Sequence, residues 1–189
     1  EKGWKQAEFI AERASKLPVQ YIISSTMARA HDTARVIGKK VGLPVETSDL
    51  FVESKGPSET IGTAYTDPKT VQAYLEIKEN YDKPGWRYSD EENFEDHTNR
   101  AQAALKLLLE RVEDHALIVT HGLFLRVLMT HVVFGPTPTA RELQRMAWGF
   151  ETKNTGLTIL EYKEKYFDGM KLENPWQIVT WNDHAHLAD

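Results

Sequence analysis

Apolar residues recur along this chain at two spacings, which alternate from one segment to the next. In residues 2–17 the apolar positions lie three and four apart, which is the spacing of one face of an amphipathic helix. The short apolar run of residues 19–24 follows a proline and predicts a buried strand. Residues 26–42 return to the helical spacing and predict a second helix.

The alternation continues toward the C-terminus, where the period changes to two. The strongest helical pattern covers residues 89–115, and its predicted buried side includes Phe94, Leu105 and Val112. The segments "GLTILEY" and "WQIVTW" alternate apolar and polar residues and predict a β-hairpin. The other predicted elements are strands at 45–47 and 116–120 and helices at 68–82, 123–133 and 140–150.

Polar residues mark where several of these helices begin. Ser25 or Thr26 is the predicted N-cap of the second helix. Ser89 with Glu92 matches a capping box, in which each residue bonds the other's backbone N–H, and Thr139 opens a second box of the same kind.

Strands that alternate with helices through the first two thirds of the chain predict a mostly parallel sheet. We therefore expect a three-layer α/β/α sandwich in which residues 1–189 form a single domain. Residues 50–90 interrupt the pattern with a loop and one helix, and we expect them to form a cap inserted within that domain. Ligand sites in such sheets lie at the carboxyl ends of the strands.

Composition and charge narrow the classes of function. The net charge of -5 argues against binding to nucleic acid or to an anionic membrane, because both would repel most of the surface. No apolar run approaches the ~20 residues that span a bilayer. The chain has no cysteine, which excludes disulfides and thiolate metal sites and favours a cytoplasmic location.

Two junctions between a strand and a helix carry candidate chemistry. At the first, Ser24, Ser25 and Thr26 precede Arg29 in the first turn of a helix, an arrangement that suits an oxyanion such as phosphate. At the second, His121 ends a strand, and Gly122 leaves room for a ligand to approach the backbone. Each junction alone is also compatible with an N-cap beside a solvated arginine, or with a core histidine.

Two acidic residues on a loop after another strand extend this set. Glu53 and Glu59 lie in "FVESKGPSETIG", and a carboxylic acid near an anion pocket could protonate a leaving group. For each residue taken alone, the sequence favours an exposed loop acid.

Five segments in this order resemble the histidine phosphatase superfamily, whose fold is phosphoglycerate-mutase-like. They are "STMARAHDTARVIG", "FVESKGPSETIG", "NFEDHTNRAQAALKLL", "LIVTHGLFLRVLM" and "NTGLTIL". The resemblance extends over nearly the whole chain, and the combination of the first segment with Thr-His-Gly is its most specific part. It implies a phosphatase that uses a phosphohistidine intermediate on a small phosphorylated substrate, with neither metal nor other cofactor.

The resemblance also implies roles for individual residues. Arg29 and His121 would bind the phosphoryl oxygens and act in catalysis, with Ser25 and Gly122 beside them. Glu53 would protonate the leaving oxygen, with Glu59 as the alternative. Asn154 would support the phosphate pocket.

The sequence departs from the family pattern in one respect. The family's nucleophile is a histidine in an Arg-His-Gly motif on the first strand, and that motif does not occur in these 189 residues. The resemblance places it upstream of Glu1, so we expect an N-terminally incomplete domain that is inactive alone. We also expect the strands "YIIS" and "LIVT" each to leave an unpaired edge, through which the chain would dimerise or aggregate.

Two other functions fit the same residues. A non-catalytic phosphate-binding or scaffold module would keep this fold without the nucleophile, although it would be expected to lose Arg29, Glu53 or His121 as well. A phosphoglycerate-type mutase fits less well, because the acid-bearing loop of those enzymes differs from "VESKGPSETIG". The sequence leaves the identity of the phosphorylated substrate open.

Overall fold

The computed structural model describes residues 1–166, 169–172 and 174–187. Within these ranges lie six α-helices and seven strands. The helices are α1 (Lys2–Ala14), α2 (Ala28–Val41), α3 (Pro68–Asn80), α4 (Phe94–Leu109), α5 (Gly122–Phe134) and α6 (Ala140–Gly149). The strands are β1 (Tyr21–Ser24), β2 (Val45–Thr47), β3 (Ala116–Val119), β4 (Leu157–Tyr162), β5 (Lys165–Tyr166), β6 (Met170–Lys171) and β7 (Trp176–Asp183). None of the helices in the described ranges is both long enough and apolar enough to cross a bilayer.

The first three strands form the parallel sheet that the sequence predicts, in the order β2-β1-β3. Ile22 lies opposite Val45 on one side and opposite Leu117 on the other. All four residues of β1 are buried, as expected for a central strand with helices on both faces. The carboxyl ends of β1 and β3 therefore lie side by side at one edge of the sheet.

Two apolar clusters cover the two faces of this layer. The first contains Tyr21 and Ile23 of β1 with residues of α4, α5 and α6, and the second contains Ile22 with residues of α1 and α2. Successive residues of β1 thus point to opposite clusters, as the pleat of a strand requires. The expected α/β/α layering is confirmed.

The C-terminal strands form a separate sheet. β4 and β7 pair in antiparallel register, which confirms the predicted pairing of these two segments, and a short β5–β6 hairpin lies between them. Leu160 packs against the first apolar cluster and Leu157 against the second, so β4 lies in the same layer as β3. Within the described residues, however, no strand pairing joins β4 to β3.

This arrangement corrects one expectation about strand edges. β1 and β3 pair with each other along four residues, so they do not each face a gap. Within the described residues, the unpaired edges of this parallel sheet belong instead to β2 and β3.

Several predicted helix boundaries also need correction. The capping box of α4 is formed by Asn93 and Asp96, not by Ser89 and Glu92, while the box of Thr139 with Glu142 is confirmed. The N-cap of α2 is Met27, one residue after Thr26 and two after Ser25, the predicted positions. Val112 lies beyond the end of α4 and is 93% exposed, so it is not part of the buried side.

Candidate active site

The two polar junctions of the sequence meet at the carboxyl edge of the parallel sheet. Ser25 follows β1, and its backbone N–H donates to the carbonyl of Val119 at 2.9 Å, which fixes the end of β1 against the end of β3. The Oγ of Ser25 lies 2.8 Å from Nε2 of His121, the residue that precedes α5. Both side chains are buried. The register of two strands therefore places a histidine and a serine in direct contact.

His121 has an environment that favours its neutral form. Burial is the main cause that lowers the pKa of His121, and the positive charge of Arg29 acts in the same direction, whereas Glu53 opposes them. The Oγ of Ser25 already accepts from the backbone N–H of Met27 at 3.1 Å, so its own proton is free to point toward Nε2. A neutral imidazole held in this way can bind and exchange protons with a ligand.

Arg29 lies in the first turn of α2 with an exposed side chain. Within the described residues its guanidinium has neither an ion-pair partner nor a hydrogen bond, yet its charge acts on His121. An unpaired guanidinium beside a helix N-terminus is suited to bind an oxyanion with two parallel hydrogen bonds.

We expect the substitution Arg29→Ala to weaken the binding of vanadate or inorganic phosphate at least about tenfold, because it removes a charge-assisted hydrogen bond. Isothermal titration calorimetry of the two proteins measures this change. The control is Arg35→Ala, which removes the same charge from an exposed position on the same helix and should leave the affinity unchanged. Equal affinities for wild type and Arg29→Ala would remove Arg29 from the site.

Glu53 reaches the same site from the loop after β2. Its Oε1 accepts a hydrogen bond from the backbone N–H of Phe124 at 3.0 Å. Its Oε2 accepts a longer one from the backbone N–H of Leu123 at 3.4 Å. The carboxylate therefore caps α5 directly after His121 and accepts from backbone N–H groups that have no partner within the helix. No pattern in the sequence predicts this capping role, because it joins residues about seventy positions apart.

The other residues that were predicted to belong to the site make no contact with Ser25 or His121 among the described residues. Glu59 is exposed and accepts a hydrogen bond from the Oγ of Ser89 at 2.9 Å. Asn154 is also exposed, and its side chain makes no hydrogen bond within the described ranges. A Cβ built on Gly122 would lie 2.5 Å from Oγ1 of Thr152, so Thr152 occupies the position that a side chain would take at residue 122. The roles of Glu59 and Asn154 remain predictions.

Arg100, which is not among the residues predicted from the sequence, supports the site from α4. Its guanidinium donates to both carboxylate oxygens of Glu92, at 2.7 and 2.6 Å, and to the carbonyl of Val52 at 2.8 Å. It also lies 3.8 Å from the centre of the Phe124 ring. Arg100 thereby ties the segment before Glu53 to the first turn of α5. A charged residue on the buried side of a strongly periodic helix was the signal that could have identified it.

A buried histidine extends this network away from the site. Nδ1 of His97 lies 2.7 Å from the hydroxyl oxygen of Tyr81. Nε2 of the same ring lies 3.7 Å from Oε2 of Glu92. Burial is the largest influence on the pKa of His97 and lowers it to about 4. His97 is therefore uncharged in the folded protein at neutral pH.

We expect His97 to make the protein less stable as the pH falls from about 6.5 toward about 4. In this window the unfolded state binds a proton at residue 97 and the folded state does not, so the free energy of unfolding decreases by up to about 3 kcal/mol. Urea unfolding at several pH values measures the slope, which should be shallower in His97→Gln. An unchanged slope in that variant would show that His97 is not the cause of the pH dependence.

Comparisons with known proteins agree with this fold. The family model described as histidine phosphatase superfamily (branch 1) matches residues 1–183. Phosphoglycerate mutase-like protein 4 of Arabidopsis thaliana is 26% identical over 194 residues, which cover 99% of this chain and 75% of that protein.

Two solved structures share the architecture. The mycobacterial glucosyl-3-phosphoglycerate phosphatase in complex with inorganic phosphate superposes with a TM-score of 0.72 at 22% identity, covering 96% of this chain and 86% of that one. YhfR of Bacillus stearothermophilus gives a TM-score of 0.69 at 23% identity, covering 99% and 85%. At these identities the two structures support the fold and leave the reaction open.

Proposed function

Because the chain belongs to the histidine phosphatase superfamily, we propose that it hydrolyses phosphate monoesters. The observation that carries this proposal is the contact between Ser25 and His121 at 2.8 Å, near the charge of Arg29, which is unpaired among the residues that the structure describes. Together these groups offer a phosphoryl group one guanidinium, one imidazole and the N-terminus of α2. Such preorganised donors stabilise the charge of a phosphoryl group in the transition state.

The proposed roles follow from position. Arg29 and His121 bind the phosphoryl oxygens, and Ser25 orients the imidazole through its hydroxyl. Glu53 protonates the oxygen of the departing alcohol, since its carboxyl group contacts the first turn of α5 directly after His121. No metal or organic cofactor is required for these roles.

We propose that the nucleophile is a histidine in an Arg-His-Gly segment upstream of Glu1. Its ring nitrogen would attack phosphorus while the bond to the alcohol oxygen breaks and Glu53 supplies the proton. Water would then attack the phosphohistidine, return a proton to Glu53 and release inorganic phosphate. Two observations support an upstream segment: β3 has one edge that is unpaired among the described residues, and the Arabidopsis relative is longer than this chain.

The test uses the protein extended by its upstream coding sequence. We expect it to hydrolyse p-nitrophenyl phosphate and to form a phosphoenzyme that is labile in acid and stable in base, as trapped by rapid quenching with labelled substrate. The 189-residue chain alone should be inactive, and should dimerise or precipitate through the unpaired edge of β3. Hydrolysis by the 189-residue chain that is abolished by His121→Ala would overturn the proposal, because His121 would then be the nucleophile.

A further inference from the structure

The backbone that carries Glu53 is held in place by side chains from three other parts of the chain. After β2 the chain forms a single 3₁₀ turn, Asp49–Phe51, and then runs to Glu53 outside any helix or strand. We call residues 50–53 the acid segment. The side chain of Phe51 is fully buried and belongs to the first apolar cluster, which anchors this segment to the core. Peptide groups outside regular structure still need hydrogen-bond partners, so the partners found here decide where Glu53 lies.

Three successive carbonyl groups of the acid segment accept from side chains. Arg100 donates to the first and the third of these carbonyls, at 3.3 and 2.8 Å. The Oγ1 of Thr120 donates to the one between them, the carbonyl of Phe51, at 2.7 Å. Thr120 directly precedes His121, so this bond ties the end of β3 to the acid segment.

The N–H of the last residue in the acid segment is also bound. The backbone N–H of Glu53 donates to Sδ of Met27 at 3.4 Å. Met27 is the N-cap of α2, two residues before Arg29, and its own N–H donates to Oγ of Ser25 at 3.1 Å. The same hydroxyl contacts His121. Met27 therefore joins the acid segment to the junction that carries Arg29 and Ser25.

These bonds close a ring around the site. From His121 the contacts run through Ser25 and Met27 to the backbone of Glu53. The carboxylate of Glu53 then returns to α5 by accepting from the N–H of Phe124 at 3.0 Å. A change in any one of these bonds alters where the carboxyl group lies relative to the imidazole.

We propose that Thr120 and Met27 are positioning residues for Glu53. The inference rests on the proposed phosphatase activity, in which Glu53 is the proton donor. Thr120 acts through the carbonyl of Phe51, and Met27 acts through the N–H of Glu53. An acid must lie within hydrogen-bond distance of the leaving oxygen, and a misplacement of about 1 Å can cost about 10²-fold in rate. Thr120 has the larger effect, because a thioether sulfur is a weak acceptor.

The test compares kcat/KM for glycerol 2-phosphate with kcat/KM for p-nitrophenyl phosphate in the full-length protein. Thr120→Val keeps the shape of the side chain without its donor, and it should lower the ratio of the first to the second by about 10- to 100-fold. Thr120→Ser keeps the hydroxyl and should restore most of the ratio. Met27→Leu should lower the ratio by about two- to threefold.

Two control variants make the same chemical changes elsewhere. Thr130→Val removes a hydroxyl that donates to the carbonyl of Arg126 at 2.8 Å, within α5. Met146→Leu replaces a buried methionine of α6. Both should leave the ratio unchanged. If Thr120 only stabilised the fold, Thr120→Val would lower the two kcat/KM values alike, and that result would overturn the proposal.

Hydrogen exchange measured by NMR tests the same contacts without using activity. The N–H of Phe124 bonds Glu53, whereas the next N–H, that of Leu125, bonds the carbonyl of His121 at 2.8 Å and reports on α5 itself. In Thr120→Val, exchange at Phe124 should become about three- to tenfold faster, and exchange at Leu125 should not change. Equal exchange at Phe124 in the variant and the wild type would reject the positioning role. A full-length wild type that fails to hydrolyse p-nitrophenyl phosphate would instead overturn the phosphatase, and exchange at Phe124 would then decide the anchoring of Glu53 by itself.

Discussion

Replacing Glu53 with glutamine is expected to lower the turnover of alkyl phosphates by about 10²- to 10⁴-fold in the full-length protein. An alkoxide is a poor leaving group and needs a proton, which glutamine cannot supply. The turnover of p-nitrophenyl phosphate should fall far less, because its phenolate leaves without protonation. The amide oxygen of glutamine can still accept from the N–H of Phe124, so the shorter of the two bonds that cap α5 is retained. Steady-state kinetics with both substrates measure the difference.

Glu59→Gln is the matched control for this experiment. It makes the same chemical change on the same loop, at an exposed residue that bonds Ser89. Equal losses on alkyl and aryl phosphates in Glu53→Gln would show that Glu53 is not the acid. A selective loss in Glu59→Gln would transfer the role to that residue.

The substitution Arg100→Met is expected to lower the free energy of unfolding by about 3–5 kcal/mol. It leaves the carboxylate of Glu92, 17% exposed, without its main partner, and it removes the donor to the carbonyl of Val52. Urea unfolding measures the loss. Arg35→Met, at a side chain that is 69% exposed, should change the stability by less than about 0.5 kcal/mol.

A double variant separates the ion pair from the packing around it. In Arg100→Met with Glu92→Leu no buried charge is left unpaired, so we expect much of the stability to return. A single variant as stable as the wild type would mean that the pair is already solvated. Loss of Arg100 should also free the segment before Glu53 and slow the hydrolysis of alkyl phosphates.

The local pattern of the sequence was sufficient to predict the elements that position the site. Short apolar runs followed by helical periodicity identified β1 and β3, and the polar residues at their ends proved to be in contact, as with Ser25 and His121. Parallel pairing follows from the alternation of strands and helices, because a helical crossover returns the chain in the same direction.

Features that depend on distant contacts could not be predicted in this way. Ser89 and Asn93 both begin acceptable capping patterns, and Asn93 was selected because α4 starts where Phe94 reaches the core. The capping of α5 by Glu53 and the bond from Arg100 to Val52 join residues that no local pattern links. The same holds for Thr152, which fills the space beside Gly122.

The pairing of β1 with β3 has a consequence for synthesis in the cell, since Tyr21 lies opposite Ala116. A ribosome that adds about 5–20 residues per second needs roughly 5–20 s to make the intervening segment. During this time β1, which is apolar on both faces, can pair only with β2 and leaves its other edge open. Contacts between such distant residues also form slowly. Ser25 and His121, 96 positions apart, therefore meet only after the nascent chain has passed through its most aggregation-prone stage.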